Sequence, residues 1–202
     1  MGDRDYERFN EMQAVPTAVK ILVAGGTRVG KTALVSAISE IAPLRVEGTV
    51  EDPEPSCGGH GGVDTMVAAA TDLDFGRITI DEALILYLFD TPEQNRRWCL
   101  RDELTVGALG AVVLADPQRL DECLPAIDYF NSRGTPYVVA VNDLSGGRDE
   151  QLAAIRRALR VDPQVPVAHC DPSRRESSKN VLITLLEYVK AAVSRQAATA
   201  TA

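Results

Sequence analysis

The run Gly25-Gly26-Thr27-Arg28-Val29-Gly30-Lys31-Thr32 constrains this chain more than any other feature. It satisfies G-x-x-x-x-G-K-[ST], a pattern that arises by chance in about one 200-residue chain in a hundred at average residue usage. The mostly apolar segment Val19–Ala24 precedes it and suits a buried parallel strand. Ala33, Leu34, Ala37, Ile38 and Ile41 follow it at helical spacing, so the motif lies where a strand turns into a helix. Glycines there let successive N–H groups point at one anion, and the positive end of the helix faces the same place. Lys31 is then expected to reach the β- and γ-phosphates of a nucleoside triphosphate, and the Thr32 hydroxyl to bind Mg²⁺. The cradle therefore comprises Gly25, Gly26, Thr27, Arg28, Val29, Gly30, Lys31 and Thr32, with Ala33 closing it.

Downstream, the pattern predicts alternating strands and helices. Pro43 to Gly62 is rich in Pro and Gly without periodicity, and a loop of that length is usually functional or disordered. Met66–Phe75 and Ala83–Phe89 read as successive strands, hence an antiparallel hairpin. Strand-like runs then cover Gly110–Ala115, Tyr137–Val141 and Val165–Cys170, separated by helical stripes around Leu120–Phe130 and Leu152–Leu159. A last amphipathic helix carries Val181, Leu182, Leu185, Leu186, Val189 and Val193. The expected fold class is α/β, a mostly parallel sheet with helices on both faces. The expected organisation is a flexible arm over 1–16, one domain over 17–195 and a disordered tail over 196–202.

The chain has 202 residues, enough for one domain with a full core. Its formal charge of −8, with no Lys/Arg block, argues against nucleic acid and against anionic membrane surfaces. The longest apolar stretch, Ala108–Ala115, is far shorter than the ~20 residues of a membrane helix. Cys57, Cys99, Cys123 and Cys170 form no CxxC pair, and no secretory signal precedes them. Reduced thiols in a cytoplasm are the expectation, with a partner protein providing any membrane recruitment.

A second constellation supports the first. Asp90 ends a hydrophobic strand and is followed by Thr91-Pro92-Glu93-Gln94. A carboxylate at the carboxyl end of a strand beside the cradle is placed to hold Mg²⁺, and Gln94 to orient an attacking water. Together, Gly25–Thr32, Asp90–Gln94 and the strand–helix order resemble a Ras-like small GTPase. The runs Lys20–Gly26, Asp74–Thr79 and Gly107–Leu114 resemble, more narrowly, the actinobacterial conservon GTPases, which are relatives of the bacterial gliding-motility GTPases. The resemblance covers about Val19 to Val193 and implies a six-stranded sheet with one antiparallel edge pair. It implies GTP or GDP as ligand, Mg²⁺ as cofactor and a nucleotide-dependent switch, with roadblock-type and sensor-kinase-like proteins as partners.

Four departures from that pattern matter chemically. Guanine is read in the family by N-K-x-D, whereas this chain has Asn142-Asp143-Leu144-Ser145. A hydroxyl at Ser145 cannot form the bidentate, charge-assisted pair of a carboxylate, although Asp143 or Asp149 can substitute through a shifted loop. Glu93 replaces a glycine near the γ-phosphate. The switch threonine position falls on Ala70; Thr71 would point to the opposite face, which leaves Thr65 as the replacement metal ligand. Thr27 and Arg28 fill positions that are often small, where they can obstruct an activator's arginine, and Arg28 can instead act on the phosphate in cis. His169-Cys170-Asp171 stands where the family's last loop touches the base, Trp98 falls on the helix that follows the switch, and His60 in a flexible glycine-rich loop. The sequence therefore supports a GTP-binding switch that hydrolyses slowly, using Lys31 and Gln94. The alternatives are a pseudo-GTPase interaction module and, on the thin basis of Arg174-Arg175, a small kinase.

Overall fold

A computed structural model of the chain describes residues 16–42, 44–50, 69–91, 105–143 and 149–200. The strands are β1 (Thr17–Gly25), β2 (Leu44–Val50), β3 (Ala69–Thr79), β4 (Leu84–Asp90), β5 (Ala108–Ala115), β6 (Tyr137–Asn142) and β7 (Val167–Cys170). The helices are α1 (Lys31–Ile38), α2 (Leu124–Arg133, entered through a 3-10 turn at Leu120–Cys123), α3 (Asp149–Leu159) and α4 (Arg175–Ala200). The strands form one sheet in the order β2-β3-β4-β1-β5-β6-β7. From β4 to β7 the pairing is parallel, and β3 runs antiparallel to β4. The expected α/β fold is present, with the six expected strands and helices on both faces.

One strand goes beyond that frame. β2 pairs antiparallel with β3, from Leu44 opposite Phe75 to Val50 opposite Ala69, and adds a seventh strand at the edge. It lies in the stretch expected to lack structure. Ladder bonds to β3 do not require a strong pattern of their own, because strand preference is largely set by the neighbouring strand.

The inner parts of the parallel strands are apolar because helices cover them on both sides, whereas β1 opens with the exposed Thr17 and carries Lys20. Alternate residues separate cleanly. Ile21, Val23, Leu86, Leu88, Val112, Leu114, Val138 and Ala140 pack with Leu34, Val35 and Ile38 of α1 and with Val181, Leu182, Leu185 and Val189 of α4. Leu22, Ala24, Ala111, Val113, Val139 and Val141 pack with Ala126, Ile127 and Phe130 of α2 and with Ile155 and Leu159 of α3. Two cores therefore clamp β1 at the centre of the sheet.

Details differ from the pattern-based expectations. Helix α1 buries Lys31, Leu34, Val35 and Ile38, whereas Ala33 is exposed. It ends at Ile38, so Ile41 is not on it; Ser39 turns extended, and its hydroxyl accepts from the N–H of Arg77 at 3.2 Å. β3 runs through Gly76 to Thr79, past the expected end at Phe75, and the hairpin turn falls between Thr79 and Leu84. Helix α4 continues to Ala200, past Gln196, where the tail was expected to fray.

Candidate functional site: the phosphate loop and its surroundings

β1 delivers the loop. Gly25 pairs with Leu114 on one side, and Val23 pairs with Asp90 on the other. Gly25 at φ +141° and Gly30 at φ +105° adopt backbone conformations that other residues avoid, and Arg28 sits left-handed at φ +57°. A Cβ on Gly25 would strike the Leu114 carbonyl, and one on Gly30 would lie 2.7 Å from Pro172 Cγ. These glycines are therefore required by close approach as well as by φ.

Lys31 opens α1 and folds back over the loop. Its Nζ donates to the carbonyl of Gly26 at 3.0 Å and to that of Gly25 at 3.4 Å, and the residue is only 4% exposed. Burial of a cation is costly unless it is paired, so the ring of loop groups around it is a built feature. The Thr32 hydroxyl donates to Asp90 Oδ2 at 2.8 Å, although 58 residues separate them. Asp90 is 7% exposed, and the adjacent Thr91 is pinned to β1 by its N–H on the Val23 carbonyl at 2.9 Å. Thus Lys31, Thr32 and Asp90 meet on one rim of the sheet. Two hard oxygen donors beside a phosphate cradle suit Mg²⁺, which is usually held by one or two carboxylates together with phosphates and water.

Asn142 reaches the cradle from β6. Its Nδ2 donates to the Val29 carbonyl at 2.8 Å, while its buried Oδ1 makes no hydrogen bond. Asp143 follows, with its N–H on the Cys170 carbonyl at 3.0 Å and its carboxylate 3.6 Å from His169 Nδ1. Both ring nitrogens of His169 are buried without a hydrogen bond, which is uncommon for polar atoms in folded proteins.

The next two residues face elsewhere. Cys170 is fully buried in the core, and burial is the chief cause that pushes its thiol up to about 11. The Asp171 N–H donates to Ser177 Oγ at 2.8 Å, and its carboxylate accepts from the Ser173 N–H at 3.0 Å and from the Ser173 hydroxyl at 2.6 Å. The local turn therefore already uses the polar groups of Asp171. Gln94, Thr65, Ser145, Glu93, Trp98 and His60 lie outside the described residues. Ala70 and Thr71 lie on β3, opposite Thr49 and Gly48.

Sequence reasoning missed one side chain at the loop. Arg119, in the turn after β5, donates from Nη2 to the Thr27 carbonyl at 3.3 Å. The dipeptide Asp116-Pro117 signals a turn, but nothing local shows that the turn leans on residues 92 positions away.

Comparison with known proteins agrees with this geometry. The cytosolic domain of the T. maritima FeoB iron transporter in GDP form I superposes with a TM-score of 0.57 at 16% identity, covering 86% of this chain and 64% of that one. The G domain of the same transporter gives 0.56 at 16% identity over 85% of this chain and 99% of that one. The GMPPNP form of the cytosolic domain gives 0.56 at 16% identity, with 85% and 64% covered. This chain thus spans 64% of the cytosolic domain and nearly all of the G domain; at such identities the shared property is the fold. No curated protein matches the sequence. A family described as "Conserved hypothetical ATP binding protein" matches residues 59–192, a stretch that contains Asp90 and Asn142 and begins after the phosphate loop. With most of its length matched, this P-loop chain with a GTPase-type G-domain fold belongs to that conserved hypothetical ATP binding protein family.

Proposed function

We propose that the protein is a GTP-binding molecular switch that hydrolyses GTP slowly with Mg²⁺. One observation carries this reading: Lys31, Thr32 and Asp90 converge on a left-handed, glycine-built loop at the open rim of a parallel sheet. Open α/β sheets bind their ligands outside the carboxyl ends of the strands. Loop N–H groups and the Lys31 ammonium would hold the β- and γ-phosphates, and Thr32 and Asp90 would hold the metal. Mg²⁺, when bound, supplies charge neutralisation on the phosphate oxygens. Gln94 would orient the attacking water, and Thr65 would add a metal ligand from the switch.

Guanine as the base is part of the proposal. Asp143, nine-tenths buried beside His169, offers a carboxylate acceptor in the segment where Ser145 lacks one. Competition of GTP against ATP for a fluorescent triphosphate analogue tests it, with GTP expected to displace at lower concentration. Equal or preferential displacement by ATP would remove guanine from the proposal and favour the nucleotide named by the family description.

A second reading, a pseudo-GTPase interaction module, draws on the turn at Asp171, whose amide and carboxylate are internally bonded and so contribute less to a base site. Single-turnover phosphate release separates the two, since tight GTP binding without release would select the second. Of the two arginines behind the kinase reading, Arg175 donates from Nη1 to the carbonyls of Ala37 at 3.5 Å and Ile38 at 3.3 Å, which weakens that reading. Resemblance to the conservon GTPases extends the proposal to roadblock-type and sensor-kinase-like partners and to a cytoplasmic location with recruitment by a partner. Among the described residues no helix is long and apolar enough to cross a membrane.

A further inference from the structure

Arg119 occupies a built position beside the phosphate loop. The turn that carries it is rigid: the Asp116 carboxylate accepts from the Gln118 N–H at 2.9 Å, and the Arg119 N–H bonds the Asp116 carbonyl at 3.0 Å. The guanidinium is then fixed from two sides. Its Nε and Nη2 each lie 3.1 Å from Asp116 Oδ2, and its Nη1 donates to Glu122 Oε1 at 2.9 Å. Glu122 also packs on the loop, because a Cβ on Gly26 would collide with its side chain. The remaining contact of Arg119 is the 3.3 Å bond from Nη2 to the Thr27 carbonyl. That bond is long and the side chain is 44% exposed, so redirecting Nη2 from the carbonyl toward a phosphate disturbs no core.

Thr27 and Arg28 stand where side chains would crowd an arginine arriving from an activator. An arginine already present in the chain needs no such access. We propose that Arg119 is a catalytic residue acting in cis, donating to the γ-phosphate as charge builds there during hydrolysis. In that step the water oxygen bonds to γ-phosphorus and the bond to the β–γ bridging oxygen breaks. The electron pair leaves with GDP, and the proton of the water passes to inorganic phosphate. A planar guanidinium with five donors suits the three equatorial oxygens better than an ammonium does, and an anionic phosphate oxygen is a stronger acceptor than the Thr27 carbonyl.

The inference rests on the GTPase reading above, and its test separates the two. Single-turnover hydrolysis and GTP affinity are measured for the wild-type chain, Arg119→Gln and Arg119→Lys. Arg119→Gln keeps a donor for the Thr27 carbonyl, and its melting temperature and GDP affinity report on folding. The expected result is a rate loss of about 100-fold or more in Arg119→Gln, with GTP affinity changed little. Arg119→Lys recovers only part of the rate, and millimolar guanidinium partly restores Arg119→Gln. Wild-type Mg·GDP is expected to capture aluminium fluoride, and Arg119→Gln is not. A wild-type rate in Arg119→Gln, or a loss confined to affinity, overturns this inference and leaves the GTPase reading standing. Wild-type protein that binds GTP but neither turns it over nor captures the fluoride overturns both.

Discussion

Lys31 illustrates how much a single residue carries. Its ammonium is buried among the loop carbonyls, so Lys31→Ala removes both the proposed phosphate contact and the internal donor to Gly25 and Gly26. Triphosphate affinity is expected to fall by about 100-fold or more, the value of one to two charge-assisted bonds, and calorimetry checks it. Gly30→Ala is expected to destabilise the fold by about 1–3 kcal/mol from backbone strain alone. Chemical denaturation gives the value, and an unchanged midpoint would contradict the loop conformation. The glycine-built turn between β1 and α1 was legible because its conformation demands fixed residue types at fixed spacing. Arg119 and the Asp143–His169 contact were not, because each joins residues that only the sheet order brings together.

Among the elements, the seam between α1 and β3 links the nucleotide loop to the edge of the sheet. The Arg77 N–H donates to Ser39 Oγ at 3.2 Å, the Glu40 N–H to the Arg77 carbonyl at 2.8 Å, and the Thr79 N–H to Glu40 Oε2 at 3.0 Å. Gly76 allows this approach, since a Cβ there would lie 2.7 Å from Val35 Cγ1. Gly76→Val should overpack the seam and cost about 1–3 kcal/mol, read as a lowered denaturation midpoint. A larger valine that leaves the midpoint unchanged would show that α1 and β3 are farther apart than described. Continuous apolar runs marked the inner strands in advance, because strands covered on both faces admit few polar residues. β2 escaped notice because Gly48 interrupts its sequence pattern and its partner β3 supplies the order. Helix α1 stops early for a tertiary reason as well, the capture of Ser39 by β3.

For the molecule as a whole, alkaline pH is the revealing variable. Burial is the main cause that raises the thiols of Cys123 and Cys170 from an ordinary 9.0 to about 11. The unfolded chain therefore releases these protons first. Stability from the two groups is complete below pH 9 and declines as pH rises from 9 to 11. Melting temperatures recorded across that range should fall, and the double variant Cys123→Ala, Cys170→Ala should fall less steeply. Burial also raises Tyr137, which adds to the decline at the upper end.

The central place of β1 has a further consequence. Loops leaving β1, β4 and β6 come from distant parts of the chain, yet they meet through Thr32 on Asp90 and Asn142 on the Val29 carbonyl. A triphosphate seated there acts as a cross-tie, so amide hydrogens in all three strands should slow their exchange with solvent deuterium together when the ligand binds. The signal of occupancy would then be a mechanical stiffening spread across the width of the sheet, available to any protein that touches its far edges.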